Sequence, residues 1–227
     1  MEPIRVFVGF DPRESVAYHV LTHSILSRCS APVSFTPLSL HSLRSIFDRP
    51  RDPSQSTDFA FSRFLVPALC AFEGWSLFLD CDILAQDDLT KLWAQRDDQF
   101  AVQVVKHDYT PAQQVKFLNQ VQTVYPRKNW SSVLLFNNAR CKRLTPKYVS
   151  SASGLELHRF SWLDDSDIGE LDQRWNHLVG EYAPNPHAAL VHFTNGGPYF
   201  AAYRQCEYAQ AWYAELRAAQ AGLQSYP

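Results

Sequence analysis

A chain of 227 residues with 46% apolar and 19% charged residues is an ordinary globular protein able to bury one large core, not a disordered one. Its formal net charge of −2 gives no general pull toward nucleic acid, and no apolar run reaches the roughly 20 residues that cross a bilayer. Five cysteines at unrelated spacings (Cys29, Cys70, Cys81, Cys141 and Cys206), without a C-x-x-C pair, suit free thiols in a reducing cytosol. Along the chain, residues 4–10 read as a first strand, too short for a signal peptide and followed at once by Asp11 and Arg13. Residues 14–28 have helical spacing, with Val16, Val20, Leu21 and Ile25 on one side. A second strand is expected over 33–40, a loop over 44–58, and a helix over 59–72 that Pro67 must kink or restart. A buried strand ending at Asp80 comes next, then a short helix over 87–95, a strand over 100–105, a helix over 112–124 and a strand over 132–136. This alternation predicts an α/β fold with a mostly parallel sheet, in one domain. Such sheets bind ligands beyond the carboxyl ends of their strands.

The most informative run is GWSLFLDCDIL, residues 74–84. A strand apolar enough to be buried on both faces stops on two carboxylates, Asp80 and Asp82. Residues i and i+2 of extended chain point the same way, so the pair repels unless a cation lies between them or one is protonated. That is a place to hold a divalent metal with a phosphate on its far side. Cys81, between them, is expected to face away and pack. Far along the chain, His192 ends an apolar run and is followed by Gly196 and Gly197, which would let backbone N–H groups approach phosphate oxygens. His19 and His23 have a zinc-like i, i+4 spacing but lack the accompanying glutamate, and are read as structural. Lys106, His107 and Asp108 follow a strand and could reach a bound ligand.

Four blocks in order resemble the nucleotide-sugar glycosyltransferases of the GT-A fold, closest to glycosyltransferase family 8. They are VFVGFD, FSRFLVPALCAFEGWSLFLDCDIL, NWSSVLLFNN and VHFTNGGPYF, which together span residues 4–200. The resemblance implies a GT-A, Rossmann-like single domain over 1–227. Residues 1–144 would form its nucleotide-sugar-binding half, and 145–227 its acceptor-side half and C-terminal helix. It implies a metal site of Asp80, Asp82 and His192. The mixed oxygen and nitrogen donors favour Mn²⁺ over Mg²⁺. It implies a UDP-sugar donor held by Val8, Gly9, Phe10, Asp11, Arg63, Lys106, Ser131, Asp164, Gly196 and Gly197, with Asp80 and Cys81 beside it. Catalytic roles fall to Asp165, Asn129 and Arg63, and Trp175 and Asn176 could line the pocket. The acceptor would be a sugar, a glycan or a lipid-linked sugar, the last placing a cytoplasmic enzyme at the membrane periphery. The anomeric configuration would be retained. The last block departs from the family pattern, because no lysine precedes Pro198 to meet the diphosphate, which leaves Lys106 or Arg63 for that task. Two other readings compete. A nucleotidyltransferase would need a Gly-rich loop after the first strand, which Gly9 alone does not supply. A non-catalytic sugar-binding relative would explain the absent lysine but not the presence of both aspartates and His192.

Overall fold

The structure, a computed structural model, describes residues 2–52, 55–108 and 126–221. The helix expected over 112–124 lies outside the described residues. Ile4–Gly9 form β1, buried at nearly every position, as an interior parallel strand requires. A short 3₁₀ turn, Pro12–Glu14, leads into α1, Ser15–Leu26, which buries Ala17, Val20, Leu21, Ser24 and Ile25 along one stripe. Ser24 is tolerated there because its hydroxyl donates to the Leu21 carbonyl and accepts from the backbone N of Ala85. β2, Val33–Leu38, is half exposed and contains Pro37, which suits its place at the sheet edge. α2, Leu40–Leu43, precedes the expected loop. The helix expected over 59–72 is divided. Ser62–Leu65 form a 3₁₀ turn, and α3, Val66–Leu69, restarts with Pro67 in its first turn, where a missing N–H forfeits no bond.

The remaining elements are β3 (Trp75–Leu79), β4 (Ile83–Ala85), α4 (Thr90–Trp93), β5 (Val102–Val104), β6 (Val133–Asn137), α5 (Pro146–Ser151) and α6 (Gly154–His158). They are followed by β7 (Ile168–Glu170), β8 (His177–Leu178), β9 (Leu190–His192) and α7 (Ala209–Ala221). The larger sheet has the order β2-β1-β3-β6-β5-β7 and is parallel except for β6, which runs against both neighbours. The expected mostly parallel α/β sheet is present. The reversed strand was not foreseen, and it has a consequence for position. It pairs Val133 at the start of β6 with Leu79 at the end of β3, so the turn before β6 arrives beside Asp80. The Asp80 backbone N donates to the Ser132 carbonyl at 3.0 Å. A second sheet, β4-β9-β8, pairs Ile83 with His192. β4 comes from the first half of the chain and β7 from the second, so the two halves share both sheets.

The principal core surrounds β1, β3 and β6 and includes Val6, Val8, Phe78, Leu79, Leu135 and Phe136. Truncating a fully buried ring such as Phe78 to alanine costs about 3–5 kcal/mol. A smaller core, with Val20, Leu84, Val191, Phe193 and Trp212, joins α1 and α7 to the second sheet. α7 is further tied down by the buried carboxylate of Glu215, which pairs with Arg28 at 2.7 Å and accepts from His23 and Ser27 on α1. His23 is thus a structural partner. Burial alone would raise the Glu215 pKa, but the bonds from Arg28 and His23 outweigh it and hold the carboxyl below its usual range.

Because the folded-state pKa is depressed, the stabilisation is complete at neutral pH and is lost as pH falls through the acidic carboxylate range. Glu215→Ala is expected to lower unfolding stability by about 1–3 kcal/mol at pH 7, less than a fully buried pair would give, since the partners reach solvent. Denaturant unfolding measures this. Equal stability of variant and wild type, or a difference that persists unchanged at pH 3, would remove Glu215 from this role.

Candidate metal centre and active site

β3 runs out at Leu79, and β4 begins at Ile83, so Asp80 and Asp82 occupy the corner between the two sheets. Both are buried, at 8% and 9% exposure, and His192 is buried at 2%. The register of β4 against β9 brings the imidazole across: Nε2 lies 3.3 Å from Asp82 Oδ1 and 3.9 Å from Asp80 Oδ2. One ligand atom from each of the three residues lies within 4.8 Å of the others. Two carboxylate oxygens and one imidazole nitrogen at this spacing fit a divalent cation, and among the described residues this is the one such group of three.

Support for the cluster comes from three segments, those of Arg63, of Asn129 and Ser131, and of Asn176. Arg63, 5% exposed, brings Nη1 to 2.7 Å from Asp80 Oδ1 and donates to the Ser131 carbonyl at 2.8 Å. Its guanidinium lies about 5 Å from the ring centres of Phe59 and Phe78. The structure therefore places Arg63 as a buried partner of Asp80 and of the turn before β6. Ser131 is also buried, and its hydroxyl meets His158 Nδ1 at 2.8 Å. Asn129 has a left-handed backbone (φ 62°), which asparagine tolerates, and its side chain donates to the Thr194 hydroxyl at 3.2 Å. Asn176, fully buried, accepts from His192 Nδ1 at 2.9 Å and donates to the Asn129 carbonyl at 3.1 Å.

The first loop is equally constrained. Val8 packs in the core opposite Leu79, and a side chain at Gly9 would strike the Phe59 ring at 2.4 Å. Phe10 packs edge-on against Tyr18. Asp11 is buried, and its carboxylate is occupied by the Arg13 side chain and the backbone N of Arg13 and Asp58. Burial would raise its pKa, but these bonds hold it below the usual range. In the last loop, Gly196 has φ 137°, which side chains rarely adopt, and a Cβ on Gly197 would overlap the Tyr199 ring at 2.2 Å. Cys81 is wholly buried in the principal core, and burial pushes its thiol pKa well up.

Asp164 and Asp165 lie at the short 3₁₀ turn just before β7. Both are exposed, and Asp165, with an 82% exposed side chain, pairs with Arg127. A cavity of about 260 Å³ opens at the carboxyl ends of β5 and β7 and is lined by Lys106, His107, Asp108, Glu170, Gln173 and Tyr182, among others. His107 Nδ1 meets the Tyr182 hydroxyl at 2.9 Å.

Sequence reasoning missed two groups. Glu14, 1% exposed, receives a hydrogen bond from the Tyr199 hydroxyl, and burial followed by the nearby Asp82 charge pushes its pKa up to about 8. Standing at the first position of the helix expected over 14–28, it carried no local sign of burial. His158 was also missed, because nothing in the local sequence connects it to Ser131.

No protein-family profile matches the chain. It is 45% identical to Protein CDI of Arabidopsis thaliana over 224 residues, covering 95% of this chain and 86% of that one. The chain belongs to the Protein CDI family. The glycosyltransferase GlyE of Streptococcus pneumoniae superposes with a TM-score of 0.64 at 14% identity, over 95% of this chain and 61% of GlyE. This CDI-family chain thus spans about three fifths of the GlyE chain. The galactosyltransferase LgtC, solved with donor and acceptor sugar analogs, superposes at 0.58 with 14% identity, over 95% of this chain and 96% of LgtC. A glycosyltransferase involved in glycosylation of the PBCV-1 major capsid gives 0.56 at 12% identity, over 96% and 100%. The fold of the chain is the GT-A glycosyltransferase fold, in keeping with the family 8 resemblance.

Burial drives the pKa of both His107 and His158 down to about 3, with neighbouring histidines adding to the first effect, and Arg63, Arg49 and Lys128 to the second. Both are neutral in the folded protein. Below pH 6.5 the unfolded chain takes up protons that the folded chain refuses, so stability falls as pH falls, until the folded-state values near 3 are reached. Each histidine is expected to remove about 1 kcal/mol between pH 6.5 and 5.5. Denaturant titrations at the two pH values test this. His158→Gln should shrink the loss by about that amount, and an unchanged loss would refute the assignment for His158.

Proposed function

We propose that the chain is a metal-dependent glycosyltransferase that moves a hexose from a UDP-sugar to a sugar, glycan or lipid-linked acceptor. The observation that carries this reading is the convergence of Asp80, Asp82 and His192. His192 engages Asn176 through Nδ1 and turns Nε2 toward both carboxylates. Electron-rich atoms confined together in a buried corner call for a cation, and the fold around them is that of GT-A glycosyltransferases. The mixed donor set favours Mn²⁺. A cation held there would supply charge stabilisation to a departing diphosphate.

The chain's own residues divide the remaining work. Arg63 and Ser131 hold Asp80 in place. Phosphate oxygens would be met by the backbone of Gly196 and Gly197, which follows His192 in the chain. Sugar hydroxyls would be met in the cavity beyond β5 and β7, where the carboxylates of Asp108 and Glu170, the Gln173 amide and the Lys106 ammonium converge. These residues take the sugar-contacting role that the sequence assigned to Asp164 and Asp165. Lys106 would offset the lysine missing before Pro198. The acceptor hydroxyl would attack from the face that the diphosphate leaves, with retention.

Four measurements test the reading. Donor hydrolysis with and without Mn²⁺ should show strict metal dependence, and Asp82→Ala should abolish Mn²⁺-dependent UDP binding while leaving the fold intact. Parental turnover by that variant would defeat the site assignment. Gln173→Ala, at an exposed position, is expected to weaken UDP-sugar binding about tenfold, or 1.4 kcal/mol, without altering UDP binding. An equal effect on both ligands would move the sugar out of this cavity. The product's anomeric proton by NMR should report an α-linkage from an α-linked donor. A β-linked product would eliminate retention and point to Asp108 or Glu170 as a general base.

A further inference from the structure

Asn176 has two contacts that together place a hydrogen on Nδ1 of His192. Its Nδ2 lies 3.1 Å from the carbonyl oxygen of Asn129. A carbonyl can only accept, so the amide must turn its NH₂ group that way. The other end, Oδ1, then faces His192 Nδ1 at 2.9 Å. An amide oxygen can only accept, so Nδ1 must carry the hydrogen. The lone pair of a neutral imidazole is thereby left on Nε2, the nitrogen 3.3 Å from Asp82 and 3.9 Å from Asp80. Asn176 and His192 are 0% and 2% exposed, so water does not compete for either contact.

The local chain is built to hold this arrangement. The Asp172 side chain caps the 3₁₀ turn Gln173–Asn176 by accepting from the Arg174 backbone N, and Trp175 anchors that turn in the core. β8 follows at once and runs parallel to β9, pairing Leu178 with His192. The Asn129 carbonyl, in turn, is aimed by a left-handed backbone.

We infer that Asn176 is a positioning residue that fixes the Nδ1–H tautomer of His192 and so presents Nε2 as a metal ligand. The link to metal rests on the reading proposed above, whereas the tautomer can be measured without metal. Long-range ¹H–¹⁵N NMR on the wild-type protein, at a pH high enough for the ring to carry a single proton and with the His192 signals identified by their loss in His192→Gln, is expected to show a protonated Nδ1 and a bare Nε2. A protonated Nε2 with bare Nδ1 would overturn the inference.

Mn²⁺ titration calorimetry supplies the second readout. Asn176→Ala is expected to weaken Mn²⁺ about 10–100-fold. Asn176→Asp keeps an acceptor for Nδ1–H but loses the donor to Asn129, so it should melt earlier than wild type yet hold Mn²⁺ within about threefold. A purely structural asparagine would instead make Mn²⁺ affinity follow stability across both variants, and that result would overturn the inference. Should Asn176→Ala not fold, Asn176→Ser takes its place, with the same expected loss. Wild type that binds no Mn²⁺ but shows the Nδ1–H tautomer would refute the metal reading and leave the tautomer assignment standing. Wild-type-like Mn²⁺ binding by Asn176→Ala would refute the positioning role alone.

Discussion

Two carboxylates and an imidazole nitrogen are held in one buried corner, and the rest of the structure follows from that constraint. Left to themselves these groups would separate or take up water, because like-charged oxygens in a low-dielectric space repel. The protein prevents separation from several directions. Arg63 holds Asp80 through a contact that is itself enclosed by two aromatic rings. The Asp82 carbonyl is fastened to the Phe193 backbone N at 2.9 Å. Asn176 fixes the far side of His192. Buried polar groups of this kind are tolerable only when each has a partner, and here the partners come from both sheets.

The reversed strand β6 gives the corner its third wall. Five strands of the larger sheet point their carboxyl ends to one edge. β6 instead begins at that edge, so the residues just before it, Asn129 to Ser132, lie beside Asp80. A wholly parallel sheet would send that turn to the opposite edge. The small sheet plays the complementary part, since β9 carries His192 alongside Ile83, the residue after Asp82. The cavity beyond β5 and β7 opens at the carboxyl edge, one strand past β6.

The sequence disclosed the strand ending in Asp80 because a strand buried on both faces is apolar without interruption, and the carboxylates interrupt it abruptly. β1, α1 and the alternation of the first half were legible for similar reasons of periodicity. Pro67 was correctly suspected of breaking a helix, since its ring constrains the turn whatever surrounds it. The direction of β6 could not be read, because side-chain alternation is the same in either direction. Asp165 was given its role by the family resemblance alone, and no local pattern could have shown that its carboxylate meets Arg127. Arg63 was singled out as a donor-facing residue, but sequence alone cannot tell an arginine that faces a ligand from one enclosed beneath a carboxylate, as Arg63 is beneath Asp80. Glu14 was passed over because its partner, Tyr199, lies far along the chain.

Asp82 and His192 are 110 positions apart, yet they meet through a pairing of three-residue strands. The intervening chain must close a long loop before that pairing gains anything, and loop closure is an entropic debt that local structure cannot discharge in advance. During synthesis, β1, β3 and α1 can all leave the ribosome before the histidine exists. The pocket for a cation is therefore a late product of folding, absent from partly assembled chains. A ligand that binds there meets only the finished molecule, and by mass action it would draw the population toward that state.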